Sequence, residues 1–349
     1  MKAVRFHEYG DPDVLLYEDV EEPVPGPDEV RIGVAATSFN PVDAGIRGGF
    51  LREAFPVALP HVPGIDVAGT VDAVGANVTG RRVGDRVIGF LPMVADGAAA
   101  ERVVAPAQIL ADAPASIPLA DAAALPEVGL TAWQSLFEHA DLRAGQRLLV
   151  HGAGGGVGGY AVQLAKRAGA HVIATAGPRS IERVRRPGAD EIIDYTTTSV
   201  AEAVSPPLDV ILNLAPVAPA ELSALAGLVR PGGIVLSTLP TVMPEETSGV
   251  RTAAVFVRSD SDQLADLVTM VDSGELHVDV ADRLPLSELS AVHARADAGA
   301  LSGKFVLLPP RTEPRADPNQ AWARESRAPD PFAARRTGDL LSHLAELPA

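Results

Sequence analysis

One stretch constrains the fold of this chain more than any other: Leu148 to Gly177, LLVHGAGGGVGGYAVQLAKRAGAHVIATAG. Leu148 to His151 reads as a short apolar strand, and Gly152 to Gly159 as a glycine-packed turn. Val162, Leu164, Ala165 and Ala168 then recur at helical spacing, and His171 to Thr175 reads as a second strand. Strand, tight turn, helix and strand make a βαβ unit, whose crossover sets the two strands parallel. Ala153, Gly155 and Gly158 fit the A/G-x-G-x-x-G spacing of dinucleotide-binding turns. Each position has a mechanical reason to be small: the first permits the tight turn, the second lets backbone approach a pyrophosphate, and the third lets helix and strand pack closely. The helix that follows aims free N–H groups and its positive dipole end at phosphates.

The end of the second strand bears on which dinucleotide is bound. Folds that select NAD place Asp or Glu there to hold the ribose 2′-OH. Here the chain reads Thr175, Ala176, Gly177, Pro178, Arg179, with Ser180, Arg183, Arg185 and Arg186 close behind. A carboxylate repels a 2′-phosphate, whereas a guanidinium binds it through two parallel hydrogen bonds. NADPH is therefore the expected cofactor. Arg179, nearest the strand end, is the residue singled out for it; two or three of the other arginines are expected on the solvated face of the next helix.

With 349 residues, 47% of them hydrophobic, the chain can bury two proper cores. No run is long and apolar enough to span a bilayer, and the opening residues MKAVRFHEYG lack the apolar core of a signal peptide. The absence of cysteine removes disulfides, thiolate nucleophiles and every cysteine-ligated zinc site. A cytoplasmic protein is expected. The formal net charge of −16 argues against a nucleic-acid or anionic-membrane surface and leaves a small-molecule partner.

Before the βαβ unit, residues 1–118 carry short β patterns broken by Gly and Pro: Lys2 to Phe6, Val30 to Ala36, a strand pair within Gly64 to Val74, Val83 to Phe90, and Ala98 to Pro106. A partly open β-barrel domain is expected there, with no parallel sheet. Ala120 to Ala140 reads as two short helices around Pro126 and Gly129. After Gly177, strands at Glu191 to Asp194, Asp209 to Leu214, Ile234 to Thr238 and Ala253 to Val257 alternate with helices, one of them Ala218 to Val229 running into a turn at Arg230 to Gly233. That alternation is the pattern of a doubly wound parallel sheet. Helices at Asp262 to Gly274 and Leu289 to Ala298 precede a strand at Gly303 to Leu308. The expected division is a β-rich domain over 1–118, a Rossmann domain over 119–258, a return to the first domain over 259–310, and a polar extension over 311–349. In that extension Phe332 to Leu347 reads as one amphipathic helix or as an unstructured segment.

The order of these pieces, with SFNPVDAGIRGG (Ser38 to Gly49), PGIDVAGTVDAVG (Pro63 to Gly75), VGDRVIGF (Val83 to Phe90), ALPEVGLTAWQSL (Ala124 to Leu136), GADEIIDYT (Gly188 to Thr196), LVRPGGIVLST and SGKFVLLP, resembles the medium-chain dehydrogenase/reductase superfamily. Within it the chain is most similar to the zinc-free, NADPH-dependent quinone oxidoreductase and enoyl reductase branch. The resemblance covers Met1 to about Pro309 and implies a GroES-like barrel beside a Rossmann domain, arranged as a homodimer. It implies a hydride transfer from NADPH to a quinone or to the C=C bond of an α,β-unsaturated carbonyl. By the same resemblance Asn40, the catalytic candidate, lies beside the nicotinamide and Thr131 near the nicotinamide half. Gly155, Gly156 and Val157 underlie the pyrophosphate, Arg179 and Tyr195 flank the 2′-phosphate with Gly177 where relatives often carry serine, and Lys304 approaches the cleft. Zinc-dependent members hold their metal with a cysteine and a Gly-His-Glu triplet; Asn40, Asp43 and Gly64-Ile65-Asp66 stand in those regions, so no metal is expected.

Other readings of the same residues remain open. Asn40 before Pro41 suits an Asx-turn, Asp43 a structural hydrogen-bonding partner, Tyr195 a strand cap, and His61 a loop residue. Relatives usually carry an aromatic residue where this chain has Ala99, which implies a roomier or altered acceptor pocket. No tyrosine or lysine stands out as proton donor, which leaves solvent. The alternatives to a quinone or enone reductase are a biosynthetic reductase for a carrier-bound or polycyclic intermediate, and an NADPH-binding protein without turnover.

Overall fold

The computed structural model describes residues 1–239, 243 and 249–310. Met1 to Pro310 form one compact unit; the amphipathic segment expected at 332–347 lies outside the described residues. The chain opens with β1 (Lys2–Arg5) and β2 (Leu16–Asp19), an antiparallel pair. Strand β3 (Glu29–Ser38), helix α1 (Pro41–Arg47) and strands β4 (Asp66–Val74), β5 (Arg86–Phe90), β6 (Arg102–Pro106) and β7 (Leu110–Asp112) follow. Helix α2 (Pro126–Trp133) continues into a π-helical turn, Gln134–His139. Next come β8 (Arg147–His151), α3 (Gly156–Arg167), β9 (His171–Ala176), α4 (Ile181–Arg185), β10 (Glu191–Asp194), α5 (Val200–Ala203), β11 (Leu208–Asn213), α6 (Pro219–Ala226), β12 (Val229–Ser237) and β13 (Arg251–Ala254). Helix α7 (Ser261–Asp272), β14 (Val280–Pro285), α8 (Leu289–Asp297) and β15 (Lys304–Leu308) complete the described chain.

Two large sheets result. The six-stranded sheet runs β10-β9-β8-β11-β12-β13 and every pairing in it is parallel. Its order reverses between β8 and β11, the switch point at which doubly wound sheets bind ligands. The seven-stranded sheet runs β14-β15-β3-β4-β5-β7, with β6 also on β3. Its pairings are antiparallel except β14 with β15. Within residues 1–118 every pairing is antiparallel, as expected there; β14 and β15 come from the returning segment, where α8 carries the chain from one to the other as a crossover, and a crossover returns the second strand parallel.

Three local readings change for reasons of register. Gly64 to Val74 holds one strand, because Gly64 at φ +101° turns the chain into β4. Arg230 to Gly233 belongs to β12, where the pairing shifts between Leu208↔Val229 and Val210↔Ile234, and the helix before it ends at Ala226. The strand expected over Ala253 to Val257 is β13 at Arg251–Ala254, since its partner β12 ends at Ser237, which pairs with Ala254.

The glycine turn shows why its residues are small. A Cβ on Gly158 would stand 2.5 Å from backbone atoms of Ala153, whereas one on Gly159 would meet nothing within 4 Å. Thr175, at the end of β9, pins the turn by accepting the Gly152 N–H at its hydroxyl (2.8 Å) and the Ala153 N–H at its carbonyl (3.1 Å).

Candidate active site

Four titratable side chains that are distant in sequence meet at the ends of β3, β4, β15 and α2. Asp66 is fully buried in β4, and Lys304, 4% exposed, opens β15. Lys304 Nζ donates to Asp66 Oδ2 (3.1 Å), to the Phe39 carbonyl (3.2 Å) and to Asn40 Oδ1. Three donors meet three acceptors, so the ammonium is fully satisfied. Asp66 Oδ2 also receives the Asn40 amide (Nδ2, 2.9 Å) and the Ser38 hydroxyl, and Oδ1 receives the backbone N–H of Glu127 at 2.7 Å. A carboxylate and an ammonium out of water are tolerated only with such saturation.

Asn40 precedes α1 in extended conformation, φ −126°, ψ 145°. Its backbone N–H donates to Asp43 Oδ2 (3.0 Å), and the other oxygen of Asp43 accepts the Gly64 N–H (3.1 Å). Asp43 is thus a structural partner that ties α1 to the turn before β4. The Asn40 side chain is held between Asp66 and Lys304. Burial pushes the Asp43 carboxyl up to about 7 against the pull of these two N–H groups. Burial likewise raises Glu127 to about 7, countered first by the Lys304 ammonium and reinforced by Asp66. Both carboxyls bind a proton more tightly folded than unfolded, so their ionisation opposes folding as pH rises from about 4, the unfolded value, towards 7.

This cluster adjoins the dinucleotide helix. A Cβ on Gly156 would lie 3.1 Å from Val128 Cγ1 in α2 and 3.5 Å from Lys304 Cδ. Gly155 precedes α3 in extended conformation, no side chain caps the helix, and a Cβ on Gly155 would meet only the Gly152 carbonyl at 3.7 Å. Gly156 and Val157 form its first turn. Thr131 is buried in α2 and donates its hydroxyl to Glu127 Oε1 (3.1 Å).

Gly177 follows β9 and is covered by Tyr195, whose hydroxyl would lie 3.2 Å from a Cβ there. Tyr195 is 56% exposed, and Arg179 is exposed with one contact to the Gly299 carbonyl (3.4 Å). Its neighbours are engaged elsewhere: Arg183 with Asp279 (2.9 Å) and the Ser302 hydroxyl (2.9 Å), Arg185 with Glu182. The structure therefore gathers Asn40, Thr131, Gly156 and Lys304 into one neighbourhood and Gly177, Arg179 and Tyr195 around the end of β9.

Ala99 departs from its expected role. It is inaccessible and packs in the barrel core with Phe6, Phe39 and Val62, so no roomier pocket opens at that residue. His61 is buried edge-on against Phe6 at 5.4 Å. Sequence reasoning missed Asp66 as the hub and Glu127 altogether. Asp66 had a signal, an acid inside the apolar strand IDVAG; Glu127 had none, since an acid in a first helical turn is ordinary.

Comparison with known proteins agrees with this geometry. Residues 26–115 match the alcohol dehydrogenase GroES-like domain family, and residues 187–307 the zinc-binding dehydrogenase family. The chain is 35% identical over 327 residues to the chloroplast envelope quinone oxidoreductase homolog of Arabidopsis thaliana, covering 88% of this chain and 98% of that protein. The chain belongs to the zinc-free quinone oxidoreductase branch of the medium-chain dehydrogenase/reductase superfamily. Solved members superpose closely: the quinone oxidoreductase of Coxiella burnetii with TM-score 0.81 and 29% identity over 88% of this chain and 99% of that one. The Escherichia coli quinone oxidoreductase, solved in complex with NADPH, gives 0.78 and 25% over 88% and 100%. Membership makes the protein a nicotinamide-dependent oxidoreductase.

The quinone oxidoreductase fold here depends on the Lys304–Asp66 pair. Lys304→Met leaves a buried carboxylate unpaired and is expected to lower unfolding free energy by about 3–5 kcal/mol in urea titrations. A loss under about 1 kcal/mol would contradict a dry, saturated pair.

Proposed function

We propose that the protein transfers a hydride from NADPH to a quinone or to the C=C bond of an α,β-unsaturated carbonyl. The observation that carries the cofactor choice is the end of β9: the neutral Thr175 is buried and turned inward, no carboxylate stands among the residues directly after it, the exposed Arg179 follows two residues beyond Gly177, and Tyr195 covers Gly177. A guanidinium free of carboxylates is suited to a 2′-phosphate, and the tyrosine ring supplies a flat neighbour for it. The uncapped start of α3, with the bare Gly155 in front of it, suits the pyrophosphate. Those residues would hold the dinucleotide, and the bound nicotinamide would supply the hydride.

The remaining work falls to the polar cluster. Asn40 is fixed at both ends of its amide by Asp66 and Lys304, so it forms a rigid wall rather than a mobile donor. Val128 of α2 borders the space at Gly156, and Thr131, one turn along the same helix from Glu127, donates to it. A rigid wall holds the ring and the acceptor in register, which is the chief requirement of a hydride transfer. We further infer a homodimer: β13 is an edge strand with half-buried Ala253 and Ala254, and Phe256 just beyond it is 68% exposed, an edge that pairing with a second copy would cover. Light scattering is expected to give twice the chain mass, and a single-chain mass at micromolar concentration would remove the dimer.

Fluorescence titration is expected to show NADPH bound in preference to NADH, with Arg179→Ala weakening NADPH about 10- to 100-fold, the loss of a charge-assisted contact, while leaving NADH nearly unchanged. Quinones and enones added to the same samples are expected to oxidise the cofactor. Tight binding without oxidation by any acceptor would favour a carrier-bound substrate or a binding role over this reading.

A further inference from the structure

We propose that Glu127 holds the proton that neutralises the anion left on the acceptor after hydride transfer; this rests on the oxidoreductase reading above. The inference follows from how the other titratable groups around it are used. Lys304, from β15, spends its three N–H groups on Asp66, Phe39 and Asn40. Asp66, from β4, accepts from Lys304, Asn40, Ser38 and the Glu127 backbone. Asp43, in α1, is 4% exposed, and each of its oxygens takes a backbone N–H. Tyr160, in α3, is buried and donates its hydroxyl to the Ala124 carbonyl at 2.9 Å, and burial pushes its pKa up.

Glu127 alone in the cluster is left with spare capacity. It is half-buried, Oε1 accepts the Thr131 hydroxyl at 3.1 Å, and Oε2 has no hydrogen-bond partner among the described residues. Its backbone N–H is tied to Asp66 (2.7 Å), and its carboxyl feels the charges of both Asp66 and Lys304, the lysine whose Cδ would lie 3.5 Å from a Cβ on Gly156 at the start of α3. With burial raising it to about 7, opposed by Lys304 and Thr131 and aided by Asp66, the group carries a proton in a large share of molecules at neutral pH. A general acid works best when its pKa lies near the working pH.

The step balances. The acceptor gains a hydride, that is two electrons and one proton, and is left with a negative oxygen, an enolate or a hydroquinone anion, as the nicotinamide is oxidised. The Glu127 O–H bond breaks while the product O–H bond forms. The carboxylate that remains regains a proton from water along its exposed edge.

Glu127→Gln tests this, because it keeps the shape and the backbone N–H to Asp66 but carries no transferable proton. In the wild-type protein, carboxyl-¹³C-labelled glutamate is expected to give a resonance titrating near pH 7 that is missing from the variant. Turnover of an enone at saturating NADPH is expected to fall above pH 7 in the wild type, and to be about 100-fold lower and flat with pH in the variant, with NADPH affinity unchanged. Glu127→Asp, which keeps an acid, is expected to restore the pH dependence in part. Wild-type oxidation of NADPH by the enone checks the underlying reading separately. A glutamine variant that keeps the wild-type rate and pH profile, or a Glu127 resonance titrating near pH 4, would overturn the proposal while leaving that reading in place.

Discussion

The site depends on a single buried ion pair, Asp66 with Lys304, and on the hydrogen bonds that make it tolerable. Desolvating two charges is recovered only when geometry is good and every remaining donor and acceptor is matched. Here the matching is what assembles the protein's working parts. Asp66 draws in Ser38 from the end of β3, Asn40 at the head of α1, the first turn of α2 and the first residue of β15. Residues separated by up to 264 positions, Asn40 and Lys304, meet because one carboxylate needs partners. The same requirement immobilises the Asn40 amide and sets Glu127 beside Thr131.

The cofactor half of the site follows a different logic, that of close approach. Gly158 is required by the Ala153 backbone beneath it, Gly155 leaves open space in front of α3, and Gly177 lies close under the Tyr195 hydroxyl. Thr175 is part of this arrangement: turned inward to the Gly152 and Ala153 N–H groups, it braces the turn, and the strand end that would select for a ribose hydroxyl carries no acid. Of the arginines after the strand, Arg183 and Arg185 are tied to Asp279 and Glu182, which leaves Arg179 as the residue to which the proposed function assigns the 2′-phosphate.

These two logics explain how much could be read from the sequence. The glycine turn was legible because close approach is encoded over the six consecutive residues Ala153 to Gly158, and β8, α3, β9 and β10 lie where periodicity places them. Register was not legible, since the ends of β12 and β13 are decided by where a partner strand runs out. The polar cluster was only partly legible. Asn40, Thr131 and Lys304 came from resemblance, while their hub, Asp66, is recognised only once the fold brings β15 against β3. Ala99 shows the opposite case: a missing aromatic suggested a roomier or altered pocket, and the residue lies inaccessible within the barrel core.

The claim at the centre of this account is that the space bordered by α2, the start of α3 and Lys304 is where a hydride leaves NADPH for an electron-poor acceptor. The most direct measurement uses NADPH carrying deuterium at C4, each stereoisomer in turn, with an α,β-unsaturated ketone under anaerobic conditions, and mass spectrometry of the product. The account predicts one deuterium at the β-carbon from one stereoisomer and none from the other. Consumption of NADPH with no deuterium in the product from either stereoisomer would contradict direct transfer at this site.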